Sequence, residues 1–339
     1  MRLRLFFSFL LLAGWLLPSA ATAQKPAGKP APHPLYRDPV YDGAADPVVV
    51  WNKRAKKWWI FYTNRRATDT AATGVTWVHG TRIGIAESSD GGTTWTYRDT
   101  ANINYRPQPG YTFWAPDVVE DKGTYHMFLT YVPGVFTDWN HPRTIVHLTS
   151  PDLLNWQYQS TLPLATDKVI DASVLHLPDG TWRLWYNNER DHKYTYYADS
   201  PDLEHWTDHG LALGERGEGP KVFRWHGQYW LIIDPWKGLA AYHSPDLLHW
   251  TAQPTRLLEA PGPEADDQAI GGHADVVVSG QRAYLFYFTH PGRAPANPAP
   301  TTSVTARRSV IQVVELHYQN GQLTCDRSQP TYVRLKAPK

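Results

Sequence analysis

The sequence of 339 residues predicts an all-β protein, a five-bladed β-propeller with four antiparallel strands in each blade. Three observations support this prediction. A short apolar strand, a tight turn and a second strand rich in aromatic residues recur five times, at intervals of roughly 45 to 70 residues. Apolar alternation and turn signals dominate the rest of the chain. No convincing amphipathic helix interrupts them.

The first strand of each repeat opens at a turn that carries a carboxylate or an imidazole. These turns are Ala45-Asp46-Pro47, Ala115-Pro116-Asp117, Ile170-Asp171-Ala172, Glu218-Gly219-Pro220 and His273-Ala274-Asp275. The second strands are residues 57–62, 124–129, 181–186, 228–233 and 283–288. The innermost strands of a propeller converge on its axis, so each repeat should deliver a polar side chain to the same place.

A second motif, with Ser and Asp shortly before a Trp, marks the outer part of the first four blades. Its copies are residues 88–95, 150–156, 200–206 and 244–250. Ser and Asp side chains bind nearby amides, so the motif is interpreted as the turn between strands three and four. The fifth blade should end in a hairpin turned at Asn320-Gly321, and residues 36–41 are expected to complete that blade.

The N-terminus has the features of a signal peptide over residues 1–23. Arg2 and Arg4 precede an apolar run, and Ala21-Thr22-Ala23 forms a small-residue cleavage site. Residues 24–35 are interpreted as a flexible lead-in and residues 36–339 as one propeller domain. The predicted location is therefore secreted or periplasmic, without membrane attachment after cleavage.

Charge and cysteine content narrow the classes of partner. Without the predicted signal segment the chain has 31 basic and 32 acidic residues, which gives no electrostatic case for binding nucleic acid or anionic membrane. Cys325 is the single cysteine, so stability cannot rest on disulfides.

The 16 Trp and 19 Tyr exceed the number that a core needs, and a part of them is assigned to sugar-stacking surfaces. No feature indicates the oligomeric state.

Three carboxylates on three blades match the needs of glycoside hydrolysis, namely an acid for the departing oxygen and a base for water. In chain order, Ala45-Asp46-Pro47, Trp114-Ala115-Pro116-Asp117, Ile170-Asp171 and Glu218-Gly219-Pro220 resemble glycoside hydrolase family 43. The resemblance covers about residues 40 to 290 and implies an inverting glycosidase. It implies Asp46 as general base, Glu218 as general acid, and Asp171 as the residue that orients the acid and modulates its pKa.

The resemblance also implies that no cofactor is required. His273, in Gly271-Gly272-His273, matches a fifth-blade His that lies in the central channel near a cation or water in many family members. It is therefore a candidate neighbour of Ca²⁺ or another cation. Asp117 matches no catalytic role and is interpreted as either structural or substrate-contacting.

Two departures concern the substrate more than the mechanism. Asp171 is followed by Ala172-Ser173 rather than by Pro, and the loops around residues 77–79 and 136–143 are not part of the common pattern. Some related propellers use a His in place of the acid, which leaves His79, His141 and His273 as alternatives to Glu218. Residues expected to contact carbohydrate are Asp117, Trp114, Arg65, Trp77, His79, Trp139, Asn188, Trp236 and Arg293.

The expected substrate is an oligo- or polysaccharide with arabinofuranosyl, xylosyl or galactofuranosyl units. Three alternatives stay open. Residues 88–95 fit a turn motif of sialidases, although the chain has five repeats rather than six. A non-catalytic lectin-like propeller would keep the aromatic residues without needing Asp46, Asp171 and Glu218 together. A fructan-active hydrolase is disfavoured because its nucleophile motif is absent around Asp46.

Overall fold

Five antiparallel sheets follow one another along the chain in the computed structural model, which describes residues 28–105 and 107–338. Blade I contains β1 (Ala44–Asn52), β2 (Lys57–Asn64), β3 (Arg82–Ser88) and β4 (Thr96–Thr100). Blade II contains β5 (Asn102–Asn104), β6 (Thr112–Asp121), β7 (Thr124–Val132), β8 (Thr144–Ser150) and β9 (Asn155–Thr161). Blade III contains β10 (Val169–His176), β11 (Trp182–Asn188), β12 (Tyr194–Ser200) and β13 (Thr207–Leu213).

Blade IV contains β14 (Glu218–Trp225), β15 (Gln228–Asp234), β16 (Ala240–Ser244) and β17 (Thr251–Ala252). Blade V contains β18 (Gly272–Ser279), β19 (Arg282–Thr289), β20 (Val310–Gln319) and β21 (Gln322–Cys325). A short α-helix, α1 (Val304–Arg307), and 3₁₀ turns at Thr76–Val78, Ala265–Asp267 and Pro291–Arg293 lie in loops of the described part of the chain. The predicted five-bladed propeller is confirmed. Blade II differs from the expected four strands, because β5 adds to its outer edge in parallel with β9.

The first strand of every blade carries the same backbone irregularity near its start. The register with the second strand shifts at this point in all five blades. One residue in each shift has a positive φ, and these five residues, called here the bulge positions, are Asp46, Ala115, Asp171, Gly219 and His273. Positive φ is uncommon outside glycine, and Asp and His are among the types that tolerate it best. The repeat therefore fixes an equivalent place in each blade for a side chain near the axis.

The junction between blades I and V closes the ring. Oδ2 of Asp275 accepts a hydrogen bond of 2.8 Å from the amide of Val49, and the amide of Leu335 donates to the carbonyl of Gly91 at 2.8 Å. Tyr36 forms an isolated antiparallel bridge with Ile311, so the stretch expected to complete blade V pairs with it at one position. Residues from both termini thus pack into the same junction.

The predicted outer turns and hairpin are present. In blade II, Oγ of Ser150 binds Oδ1 of Asp152 at 3.0 Å, while Oδ1 of Asp152 accepts from the amides of Leu154 and Asn155. Equivalent contacts recur in blades I, III and IV. In blade V the pair β20–β21 turns at Asn320-Gly321, both with positive φ. These motifs are structural, as the sequence indicated.

The predicted signal peptide and the first residues of the predicted lead-in lie outside the described residues. From residue 28 onward the lead-in contacts the propeller. The amide of Ala31 donates to the carbonyl of Thr331 at 2.8 Å, and Ala31 and Leu35 are buried. Among the described residues, no helix is long and apolar enough to cross a bilayer.

Candidate active site

A cavity of about 1270 Å³ opens at one end of the propeller axis. Its walls come from the starts of the first strands and from the loops between strands two and three in all five blades. Asp46, Asp171 and Glu218 all line it, so the structure brings the three sequence-predicted carboxylates together. Asp46 and Glu218 belong to blades I and IV, which are not neighbours in the ring.

Asp46 is a buried carboxylate with two cationic neighbours. Nη2 of Arg65 lies 2.9 and 3.2 Å from its oxygens, and Nδ1 of His273 lies 3.5 Å from Oδ1. Burial disfavours its charge, but Arg65, His273 and the Thr63 side chain outweigh burial and hold the pKa of Asp46 below its usual value. Asp46 is therefore ionised at neutral pH, as a base must be.

Asp171 is the buried carboxylate that blade III contributes to the site. Burial, reinforced by the charges of Glu218 and Asp46 and opposed by His273, raises the pKa of Asp171 to about 7. Its Oδ2 accepts a hydrogen bond of 2.9 Å from the amide of Gly219, the residue after Glu218. Asp171 thus contacts the backbone that carries Glu218 and shares its electrostatic environment.

Glu218 is held by one aromatic and one cationic donor. The indole N–H of Trp236 donates to Oε1 at 3.2 Å, and Nζ of Lys193 lies 3.4 Å from Oε2. Lys193 also contacts Glu189, which pairs with buried Arg143. These contacts fix the Glu218 carboxyl group at the cavity wall.

A fourth carboxylate, Asp234, was not singled out from the sequence. It is the last residue of β15 and lines the cavity. Its carboxylate accepts hydrogen bonds from the backbone amides of Trp236 at 2.7 Å and His273 at 3.0 Å. Burial and the charge of Glu218 raise the pKa of Asp234 to about 6. In the sequence it is marked only as an acidic residue that directly follows the predicted second strand at residues 228–233.

His273 supplies positive charge to this cluster. Burial disfavours its protonation, but Asp171, Asp46, Glu218 and Asp234 outweigh burial and raise the pKa of His273. A protonated imidazole has no free lone pair for a metal ion. Within the described residues, no group of three or more His, Cys, Asp or Glu side chains could hold a metal. The described residues do not fit a directly ligated cation.

Deeper along the axis, Lys221 occupies the position between two acidic residues. Its buried Nζ lies 3.0 Å from Oδ1 of Asp117 and 2.8 Å from Oδ1 of Asp275. The other oxygen of Asp117 accepts the amide of Val174, and that of Asp275 accepts the amide of Val49. One ammonium group on blade IV thereby connects, through two carboxylates, to strands of all the other blades.

Six of the nine residues expected to contact carbohydrate line the cavity. They are Arg65, Trp77, Trp114, Trp139, Trp236 and Arg293. The other three do not. Both oxygens of Asp117 are engaged as described, which corresponds to the structural alternative for this residue. Asn188 is buried and its Oδ1 accepts from Thr166 and Arg190.

His79 is fully buried behind the cavity wall. Its Nδ1 lies 3.1 Å from the carbonyl oxygen of Val75, and its ring packs 5.1 Å from that of Trp114. Burial lowers the pKa of His79. His141 stacks on Phe136 and likewise does not line the cavity. Of the three His residues considered as alternatives to Glu218, only His273 reaches the cavity.

The fold and the cavity define a class: a five-bladed β-propeller whose first strands bring several carboxylates to one axial site. No protein-family model matches the chain. A curated relative, a probable sucrose-6-phosphate hydrolase of Psychromonas ingrahamii, is 32% identical over 155 residues. The match covers 38% of this chain and 28% of that protein, so the chain spans about a quarter of its relative's length.

Solved structures match over most of the chain. A thermostable family-43 glycoside hydrolase has a TM-score of 0.65 at 19% identity, covering 89% of this chain and 98% of that one. A family-43 β-xylosidase/α-arabinofuranosidase from a compost microbial metagenome, in complex with xylotriose, has a TM-score of 0.61 at 16% identity, covering 85% and 95%. The fold that the resemblance implied is thus the fold of family-43 glycoside hydrolases.

Proposed function

We propose that the protein is an inverting glycoside hydrolase in which Asp46 is the general base and Glu218 the general acid. The observation that carries the proposal is the placement of an ionised Asp46 and of Glu218 on non-adjacent blades of one cavity. Single displacement needs a carboxylate on one face of the sugar and a proton donor on the other, with room for a water. The likeness to family-43 structures supports the same chemistry.

Each side chain has a defined task in this mechanism. Asp46 accepts a proton from the attacking water, while Arg65 and His273 keep it charged and oriented. Glu218 donates its proton to the departing oxygen, and Asp171 holds the Gly219 amide next to it. Inversion predicts a separation of roughly 6.5–9.5 Å between the two carboxyl groups. A measured separation near 5 Å, typical of retaining enzymes, would contradict the proposal.

The proposed substrate is an oligo- or polysaccharide fragment with arabinofuranosyl, xylosyl or galactofuranosyl units, bound against the four cavity tryptophans. One solved relative is a β-xylosidase/α-arabinofuranosidase bound to xylotriose, which supports two of these sugars. A screen of aryl glycosides, with proton NMR of the first anomer released, tests both the sugar and the stereochemistry. Release of the retained anomer would overturn the single-displacement mechanism.

Two variants separate the acid from the base. Glu218→Gln removes the transferable proton and should lower turnover of natural glycosides by roughly 10²–10⁴-fold. Aryl glycosides with good leaving groups need less protonation and should lose less. Asp46→Asn should slow both substrate types alike, because water activation does not depend on the leaving group. Equal losses on both substrates for the two variants would mean that the roles are misassigned.

The wild-type protein tests the lectin alternative. Glycan binding by the wild type without turnover of any glycoside would favour that alternative.

A second candidate is hydrolysis of fructosyl bonds, favoured by the name of the curated relative. The residues around Asp46 read Ala45-Asp46-Pro47 and lack the motif expected of such enzymes. Adding sucrose and sucrose 6-phosphate to the screen decides between the two. Cleavage of these alone would replace the first proposal with the second.

We also propose export through the segment at residues 1–23. The support is the basic start, the apolar run and the Ala21-Thr22-Ala23 site. Expression of the whole gene in a bacterial host and N-terminal sequencing of the released protein tests it. A mature N-terminus at Gln24 is expected. Retention of Met1 in the cell-associated protein would contradict export.

A further inference from the structure

One end of the cavity has an excess of positive charge. Its walls come from the β2–β3 loop of blade I and the β19–β20 loop of blade V, and we call it the cationic end. Arg65, Arg293 and Arg307 line it, whereas Asp46 is the only cavity carboxylate that these two blades contribute among the described residues. Asp46 is already paired with Arg65.

Arg307 has a structural task that uses its terminal amino groups. Both donate at 3.0 Å to backbone carbonyls of the blade I loop, one to Asp69 and one to Ala72. Its buried Nε has no partner in the described part of the chain. Arg307 therefore holds the two loops together and adds an uncompensated charge to the cationic end.

Arg293 is different because its terminal amino groups remain available. Its Nε donates to the carbonyl of Ala306 at 2.8 Å, which fixes the plane of the guanidinium group. Across residues 28–105 and 107–338, no carboxylate forms an ion pair with Arg293. The group lies 5.8 Å from the ring of Trp77, which forms a flat apolar wall beside it. The side chain of Arg293 is exposed, and its guanidinium group is charged at neutral pH.

We propose that Arg293 binds a negatively charged substituent of the glycan, a carboxylate or a phosphate ester, at the cationic end of the cavity. The inference rests on the proposed glycosidase function, because it assigns part of the same site. A guanidinium group with a fixed plane and two free amino groups matches the geometry of both oxyanions. Trp77 is buried, lies under this guanidinium group and lines the cavity beside it. A neutral glycan would leave the excess charge uncompensated, so the cavity should prefer acidic glycans.

Calorimetric titration of the mature protein tests the proposal without requiring turnover. The ligands are glucuronate against glucose, galacturonate against galactose, and the 6-phosphates of both sugars. Variants are Arg293→Gln, which removes the charge, Arg293→Lys, which keeps it, and Arg54→Gln, a matched loss of charge at an exposed position. Each titration is run at low and at high ionic strength, because an exposed charge contact weakens with salt.

We expect the wild type to bind at least one acidic ligand about tenfold more tightly than its neutral parent at low salt. The preference should be lost in Arg293→Gln, kept in part in Arg293→Lys and unchanged in Arg54→Gln. Whether the uronates or the sugar phosphates bind more tightly then shows whether the preferred substituent is a carboxylate or a phosphate ester. No preference in the wild type, or a preference that survives in Arg293→Gln, would overturn the inference.

Turnover of neutral aryl glycosides separates this inference from the proposed function. Cleavage of these substrates without any preference for acidic ligands would support the proposed glycosidase function and contradict the proposed anion-binding site. An Arg293-dependent preference without turnover of any glycoside would support the anion-binding site and contradict the glycosidase function.

Discussion

The backbone N–H of Gly219 donates a 2.9 Å hydrogen bond to Oδ2 of Asp171. Gly219 follows Glu218 directly, so a buried carboxyl group on blade III holds the strand start on blade IV that carries the proposed acid. Asn at position 171 keeps an oxygen acceptor for this amide while removing the charge. The positional and electrostatic roles of Asp171 can therefore be measured separately.

Asp171→Asn should change how stability depends on pH. The raised pKa of about 7 means that the folded protein binds this proton more tightly than the unfolded chain does. That stabilisation is complete below the pKa of an unfolded Asp, about 4, and is lost as pH rises through about 7. Relative to the wild type, the variant should gain about 1 kcal/mol or more in the free energy of unfolding between pH 5 and pH 8. Urea unfolding at several pH values measures this, with exposed Asp179→Asn as the control. A difference that does not vary with pH would contradict the assignment.

Arg65→Gln should move the acidic limb of the kcat/KM profile to higher pH. Burial raises the pKa of Asp46, and Arg65 is the first of the groups that outweigh it. Without Arg65 the base becomes protonated at a higher pH, and the acidic limb of kcat/KM reports the base of the free enzyme. Arg65→Lys should shift the limb less, and Arg54→Gln should leave it in place. An unmoved limb in an active Arg65→Gln enzyme would remove Asp46 from the role of base.

Lys221→Met should destabilise the propeller strongly. It leaves Asp117 and Asp275 buried without their shared cation, a change that costs about 3–5 kcal/mol in comparable buried pairs. The triple variant Lys221→Met, Asp117→Asn, Asp275→Asn removes the unpaired charges and keeps acceptors for the Val174 and Val49 amides. It should recover a large part of the loss. Urea unfolding checks both variants, with Lys122→Met, at a largely exposed side chain, as the control. Equal instability of the single and triple variants would show that packing of Lys221, rather than charge, is what matters.

Trp236→Phe should affect turnover more than binding. The substitution keeps an aromatic ring at the cavity edge but removes the indole N–H that donates to Oε1 of Glu218 at 3.2 Å. Loss of one hydrogen bond, about 1 kcal/mol, corresponds to roughly a fivefold change, which is expected in kcat. Trp236→Ala also removes the ring and should in addition raise KM. A Trp236→Phe enzyme with a raised KM and an unchanged kcat would restrict Trp236 to substrate binding.

The ring of blades and the meeting of Asp46, Asp171 and Glu218 could be predicted from the sequence because both follow from a repeat. Turn signals recur at matching places in each blade, so a carboxylate at one place in several repeats must approach the axis. Asp234 was not predicted as a site residue because it lies at the end of the second strand of its blade, whereas the repeated carboxylates lie at the start of the first strand. The pairing of Lys221 with Asp117 and Asp275 joins residues more than 50 positions apart, and no local pattern reports it.

The loop residues were predicted less well for a related reason. Their side-chain types predicted that His79 and Asn188 contact substrate. In the structure both are buried, and each forms a hydrogen bond with a residue of the protein, His79 with the carbonyl of Val75 and Asn188 with the hydroxyl of Thr166. Whether a polar side chain faces the cavity or the loop behind it depends on the path of the loop. That path is set by contacts between blades, such as those of Arg307 with Asp69 and Ala72, which lie far apart in the sequence.

The five bulge positions differ in what each can contribute to the cavity. Three of them, Asp46, Asp171 and His273, carry ionisable side chains that line it. At Gly219 a Cβ atom would lie 2.7 Å from the ring of His273, and the methyl group of Ala115 is buried in an apolar cluster. The same backbone turn therefore serves chemistry in blades I, III and V and packing in blades II and IV. Which of the two tasks a blade performs depends on the single residue that occupies the turn.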